Sequence, residues 1–591
     1  MPQKILCLAL LSLVLLWGCN DNDSKTSTEV VFRHALENTS SSLDPAHAST
    51  VTNKFLVLNL YDTLYRYKYL ARPYELTPNI AEAMPDISFD GLSYTIKIKP
   101  GVYFQDDPAF PKGKGRELIA ADFVYSILRQ FDPQTLAGGA WLWADQIEGL
   151  KEWKQQGSDY SQTVSGLRTS GRYTIEIKLK QANPFFIHSL TQGFAAIVPR
   201  EAVAKWGKEF STHPVGSGPF QLQSFNTSEA ILVRNPDFRS ETFSLQNEGG
   251  NPDDYPELQQ LDGLQLPLLD RAELYFIKDE SARWNALRSD DIDSIIAPAT
   301  LFPSILTTTK ELELVADLAP QYNLLSSRET GFVHIDFNFN NSDIGYSPDP
   351  IRNEANKALR CALRKAYDWE ARNAVFSANT GIVFAGVIPP VVPEYDPTLA
   401  PDSIVRDVAG AKKLLQQYGW TAESLPVLTY GFSSSITERQ MFEQFRGFMA
   451  DIGYPAEKIQ ARSFATFGDF MRALDKDSLH IIPSGWLMDY PDASDTLQLF
   501  YGPNSTPGAN RANFNNPEYD LLFRQSRHML PSPQRRQIFR RLNQIVIDAC
   551  ASITGLARTR VYIWNKRAKV VPDRGFTGGY FLRFVSVDND I

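Results

Sequence analysis

The chain has 591 residues, 43% of them hydrophobic and 12% aromatic, so it belongs with folded proteins and is too long for one ordinary domain. Its formal charge of −9 is spread along the chain without a basic block, which argues against nucleic acid as a partner. The seven histidines are scattered, with none paired at metal-ligand spacing on a helix, and no Gly-x-Ser-x-Gly, His-Glu-x-x-His, Walker loop or dinucleotide fingerprint occurs. A binding protein without metal or cofactor is therefore expected rather than an enzyme.

The chain opens with a targeting signal. Ile5 to Trp17 is almost wholly apolar, and its 13 residues fall short of the ~20 needed to span a bilayer. Leu16-Trp17-Gly18-Cys19 resembles a lipoprotein cleavage box, which makes residues 1–18 a signal peptide and Cys19 the lipidated first residue of the mature chain. Residues 19–29 are polar and read as a flexible tether. The expected location is the periplasmic face of the cell envelope, held to the membrane by lipid. Cys7 leaves with the leader, so Cys361 and Cys550 remain. They are either one bridge across a long loop or two small buried hydrophobes, and the sequence leaves both open.

Val30 to Phe32 is a short β-prone run, and Phe55 to Leu64 carries apolar residues at helical spacing. Tyr94 to Lys99 alternates as a strand and stops at Pro100-Gly101. A helix follows with Phe123, Ile127 and Phe131 on one face; Ile119 stands where a capping Ser or Thr would be useful, so Asp122 is the expected substitute. Trp141 and Trp143 lie in a glycine-flanked run that either walls a cleft or joins the core. Tyr173 to Lys180 is the clearest alternating strand in the chain. Val215-Gly216-Ser217-Gly218-Pro219 is a tight turn entering a strand, with glycines that permit positive φ and close backbone approach. Glu241 to Leu269 reads as a polar surface insertion. Thr300 to Ser304 is the expected crossing into a second lobe. His334 to Phe339 is a strand, and Asn356 to Asp368 an amphipathic helix capped by Asn353.

Gly485-Trp486-Leu487-Met488-Asp489-Tyr490-Pro491-Asp492 places two aromatics and several acids just after an apolar run, Leu479 to Pro483. A strand feeding an acid-and-aromatic loop sets one carboxylate and flat apolar walls into a cleft, although the same residues could merely cap a following helix through Asp492 or Ser494. The pattern Gly-Trp-x-x-Asp-Tyr-x-Asp closely resembles the ligand segment of the family 5 extracellular solute-binding proteins, the oligopeptide and dipeptide receptors of bacterial ABC importers. Leu43-Asp44-Pro45, the turn before Phe220, Arg234 to Phe238, Ile388-Pro389-Pro390 and Asn515 to Asp520 resemble further family segments in the right order.

The resemblance implies a mixed α/β fold of the periplasmic-binding-protein type, class II, with two hinged lobes and an additional subdomain. Residues 30–62, 190–300 and 556–591 would form lobe I, 63–189 its subdomain and 301–555 lobe II. It also implies that Asp489 stays ionised and pairs with a ligand's α-amino group, while main-chain groups near Gly485, Leu487, Ser49, Thr50 and Val51 bind peptide backbone. Trp486, Tyr490 and Trp141 would wall side-chain pockets. The partners implied are a small solute, foremost a peptide, and separate ABC permease and ATPase subunits, with the receptor a monomer. Non-peptide ligands of the same family (oligosaccharides, metal chelates, haem), a solute sensor without import, and a lipoprotein hydrolase remain as alternatives.

Overall fold

A computed structural model describes residues 29–307, 312–572, 575–576 and 579–588. The expected leader, Cys19 and all of the tether but Glu29 lie outside the described residues. Two large sheets organise the chain. The first has seven strands in the order Tyr322–Arg328, Thr559–Asn565, Ser294–Ile296, Val31–Leu36, Arg271–Phe276, Glu229–Arg234 and Phe220–Phe225. The second has six, in the order Ile382–Val383, Ser552–Ala557, Gly331–Phe337, Ile481–Leu487, Leu428–Ser433 and Ile459–Phe464. Both mix parallel and antiparallel neighbours and carry helices, so their strands are rich in buried apolar residues. A smaller four-stranded sheet, Asp86–Ile87, Ser93–Lys97, Thr174–Lys178 and Leu167–Thr169, sits beside the first and shares its core, with Phe123, Trp143, Ile175 and Phe220 in one cluster.

The chain crosses between the large sheets at two adjacent places. Tyr322–Arg328 ends the first sheet and Gly331–Phe337 begins the second, with Glu329 and Thr330 between them. On return, Ser552–Ala557 and Thr559–Asn565 are separated by Arg558 alone. The crossing expected at Thr300–Ser304 is therefore misplaced: Phe302–Ile305 is a short helix whose Phe302 and Ile305 pack with Leu287, Ile295 and Ile563 against the first sheet. Glu329 ties the two crossings together. Its N–H donates to the Arg558 carbonyl at 2.9 Å, and its buried carboxylate accepts from Arg558 Nε at 2.8 Å and Arg560 Nε at 2.9 Å.

Other local readings also meet corrections. The helix Pro350–Ala366 starts at Asp349, whose carboxylate accepts from Ile351 N, so Asn353 lies inside the first turn rather than capping it. The helix Ala120–Arg129 is closed as expected by Asp122, which accepts from Ile119 N at 2.9 Å and is itself held by Arg116. Gly216 and Gly218 do not need positive φ; a Cβ on Gly216 would lie 1.9 Å from the Leu60 carbonyl oxygen, so close approach alone demands glycine. Residues 241–269 are packed rather than a loose surface loop. Phe243, Leu245, Leu258, Leu261 and Leu266 join the core, and Glu241 and Glu248 pair with Arg239 and Arg66.

Cys361 and Cys550 form a disulfide with a Cα separation of 5.2 Å, fastening the helix Pro350–Ala366 to the end of the helix Pro533–Asp548. Closing a loop between cysteines 189 residues apart removes unfolded-state entropy worth up to about 5 kcal/mol. Reduction, or Cys361→Ala with Cys550→Ala, should lower the denaturant midpoint of the lobe that holds them, read by urea titration with and without reductant.

Burial alone would raise the Glu329 carboxyl, but Arg558 and Arg560 win and hold it down at about 2, against an ordinary 4.5. A carboxylate depressed on folding stabilises the fold above its unfolded value and loses that contribution as pH falls from about 4.5 to about 2, here up to about 3 kcal/mol. Glu329→Gln should therefore lower stability at pH 7 and flatten the acid limb of a stability–pH curve; an acid limb identical to that of the unaltered protein would refute this account of the crossing.

Candidate functional site

Between the two large sheets lies a cavity of about 2370 Å³, lined from both sides and by the smaller subdomain. That exceeds the 300–1,000 Å³ typical of sites for single small molecules, so a ligand of several linked units fits with water. The expected site residues Gly485, Trp486, Leu487, Asp489, Ser49, Thr50, Val51 and Trp141 all line it.

The strand Ile481–Leu487 presents the central segment. It pairs fully with Gly331–Phe337 on one side, from Ile481 opposite Phe337 to Leu487 opposite Gly331. On its other side, among the described residues, it meets Leu428–Ser433 at Tyr430–Ile481 alone, after which the strands diverge. The main-chain edge from Ser484 to Leu487 thus opens on the cavity, the arrangement that accepts an added extended strand. Across the cleft, the helix Val51–Leu60 begins with Thr50, whose hydroxyl accepts from Asn53 N at 3.1 Å. Its first turn faces the cavity with Val51 65% exposed. The Ser49 amide is already bonded to the His47 carbonyl, so Ser49 offers a ligand its other groups.

Just past the strand, Asp489 turns toward the other lobe. Lys54 Nζ donates to Asp489 Oδ1 at 3.4 Å and to Gln192 Oε1 at 2.7 Å, and Gln192 Nε2 donates to the Asp489 carbonyl at 2.9 Å. Each charged side chain of the pair is 19% exposed. Burial pushes the Asp489 carboxyl up, and the Lys54 charge and hydrogen bond pull it back. Behind it lies Asp495, fully buried. Its Oδ1 accepts from Trp486 Nε1 at 2.6 Å, and its Oδ2 from Asp489 N at 2.8 Å and Tyr490 N at 3.2 Å. Burial and the Asp489 charge raise this carboxyl too, but three donors converge on its oxygens, the bonding of a carboxylate rather than an acid.

Tyr490 points away from ligand space and packs on Phe185 and His188, its hydroxyl 3.0 Å from Ser494. It closes the lobes together rather than walling the cavity, and does not appear among the lining residues. Burial holds the His188 imidazole near 4, hence neutral. Asp492 caps the Ser494 turn and is neutralised by two hydrogen bonds from the buried Arg535. Trp141 and Trp486 meet edge to face at 6.4 Å across the cleft, whereas Trp143 is core, its indole bonded to Ser189. On the opposite rim Lys278 bonds the Ser434 carbonyl, and Glu280 joins Thr437 to Thr300. Lys54, Gln192 and Asp495 escaped the sequence reading: Lys54 looks like any helix lysine, and its partner is 435 residues away.

A two-sheet fold with a double crossing and a large inter-lobe cavity defines a class II periplasmic binding protein. The chain belongs to the bacterial extracellular solute-binding proteins, family 5, whose family model matches residues 75–508. It is 23% identical to the dipeptide-binding protein DppE of Bacillus subtilis, over 94% of this chain and 93% of that protein. Haem-binding protein A of Haemophilus influenzae is 24% identical over 80% of this chain and 77% of its own length. Among solved structures, the murein tripeptide binding protein MppA of Escherichia coli matches with a TM-score of 0.76 at 18% identity, covering 95% of this chain and 99% of that one. The Helicobacter pylori protein DppA in complex with the peptide STSA matches at 0.73 and 20%, covering 95% and 99%. These likenesses place the fold.

The two tryptophans that meet across the cleft give it an optical reporter. Ligand capture should change the emission of Trp141 and Trp486, so Trp141→Phe and Trp486→Phe should each reduce the ligand-induced fluorescence change. Trp143→Phe should leave that change intact and instead lower stability by about 1–3 kcal/mol.

Proposed function

We propose that this protein captures a peptide-like solute between its lobes and hands it to the permease of an ABC importer. The observation that carries the reading is the open strand edge from Ser484 to Leu487, which ends at a half-buried carboxylate on Asp489. An extended peptide laid along that edge bonds through its main chain whatever its sequence, and its α-ammonium reaches Asp489. Side chains then fall into the wide cavity between Trp141 and Trp486, where water fills the remaining space. The relative named for dipeptide and the neighbour solved with a bound peptide support this choice of ligand.

The same reading includes anchoring through a lipid on Cys19 at the periplasmic face of the envelope, action as a monomer, and separate permease and ATPase subunits as the transport machinery. Ligand stabilises the closed lobes by bridging them, the hinge closure of this protein class. Removing one partner of a buried charge pair costs ~3 to 5 kcal/mol, so Asp489→Ala should weaken peptide binding by two or more orders of magnitude. Native mass spectrometry of the periplasmic protein checks both points: short peptides should co-purify with the unaltered chain and be lost from Asp489→Ala. A single sugar, metal chelate or haem in their place would move the ligand class.

A further inference from the structure

Around Asp489 the formal charges do not cancel. Asp489 and Asp495 both belong to the second lobe; three donors converge on the Asp495 oxygens, the bonding of a carboxylate, while Asp489 Oδ1 accepts from Nζ of Lys54, a cation of the first lobe. The other polar groups packed on this segment do not alter the count. Asp492 and Arg535 neutralise one another through two hydrogen bonds, the buried His188 is neutral, and Tyr67 and Tyr490 are pushed further from ionisation by burial. Glu394 lies beside the Asp492–Arg535 pair, where burial raises its carboxyl. Gln192 contributes dipoles alone, accepting from Lys54 and donating to the Asp489 carbonyl.

We propose that Lys54, Asp489 and Asp495 form one three-charge unit split across the cleft, in which the buried Asp495 makes the closed site demand one positive charge from its ligand. This rests on the peptide reading above and deepens it. Without Asp495, Lys54 would already neutralise Asp489 on closure, and a ligand ammonium would have to evict it or be buried beside an unpaired lysine. With Asp495 fixed by the Trp486 indole and two main-chain amides, Lys54 offsets one carboxylate and the ligand's ammonium offsets the other. Buried charge is tolerated when it is paired, so the unit discriminates by counting. Asp495 does not line the cavity and acts on the ligand through Asp489, as a positioning and charge-setting residue.

The count is tested by changing it. Three pools of tripeptides serve as probes: free-amino with neutral first residues, free-amino with lysine first, and N-acetylated. Their affinities are measured by titration calorimetry for the unaltered protein, Lys54→Met, Asp495→Asn and the double variant. The unaltered protein should prefer the neutral free-amino pool. Lys54→Met, with two uncompensated carboxylates, should move preference about tenfold toward the lysine-first pool, and Asp495→Asn should erase at least tenfold of the preference for free over acetylated termini. The double variant restores the original count and should regain the original preference, a rescue that a merely structural role for Asp495 would not produce. If Asp495→Asn fails to fold, Lys54→Met decides alone: no shift toward the lysine-first pool overturns the proposal. Selectivity unchanged in all variants overturns it and leaves peptide binding standing, whereas failure of every pool to bind the unaltered protein overturns the peptide reading and this unit with it.

Discussion

The carboxylate of Glu329, gripped by Arg558 and Arg560, sits at the one place where the protein must be both continuous and bendable. Each lobe has its own sheet and main core, a third cluster packs Tyr67 and Phe576 of the first lobe with Phe332 and Met488 of the second, and the two main-chain crossings at Glu329-Thr330 and Arg558 are adjacent. Two neighbouring extended segments define an axis about which the lobes can turn while each core stays intact, because the φ/ψ change is absorbed by a few residues between strands. A charged clasp suits that position better than apolar packing would. Directional bonds from two guanidinium groups keep the crossings in register while the cleft beyond them changes shape.

From that axis the cleft walls follow. The strand Gly331–Phe337 leaves the crossing and pairs with Ile481–Leu487, so the edge from Ser484 to Leu487 is positioned by direct hydrogen bonding to the hinge strand. The Met488 N–H donates to the Thr330 carbonyl at 2.8 Å, which carries the connection to the residue before Asp489. Asp489 is therefore one residue from the Thr330 contact, and the edge from Leu487 back to Ser484 lies opposite positions one to four residues past Thr330. Contact made there bears on closure with little slack between.

The two-lobed architecture is legible from chain length and from the ordered set of family-like segments, and the stretch that lines the cavity stands out by local composition. Gly485 to Asp492 announces itself by composition, and Thr174–Lys178 by clean alternation. What failed was non-local or weakly patterned. Tyr322–Arg328 reads Tyr-Asn-Leu-Leu-Ser-Ser-Arg, without alternation, so the crossing was placed before it, at a proline-containing turn. Residues 241–269 have loop composition, and their seven core anchors, from Phe243 to Leu269, follow neither the helical nor the strand period throughout. Asp349-Pro350 was the stronger helix start than Asn353, since proline fits the first helical position and aspartate caps it. The resemblance of the Gly485–Asp492 segment implies a pocket wall at Tyr490, but its ring packs against Phe185 and His188 instead.

The distribution of polarity in the cleft has a consequence for breadth of recognition. On the proposed reading the ligand's charged terminus is met at one end, on Asp489 and the groups behind it, and the open strand edge asks only for a peptide backbone; the remaining walls are wide and carry further charged side chains, among them Arg372, Arg472 and Arg511. Side chains of a ligand would thus exchange bulk water for cavity water at small cost, whereas its terminus and main chain are held by aimed partners. On that reading affinity comes from features that every peptide shares, and the size of the cavity limits length. The charge requirement proposed for Asp489 falls at the closing seam, where a wrong terminus would leave a buried charge unpaired at the contact that joins the lobes.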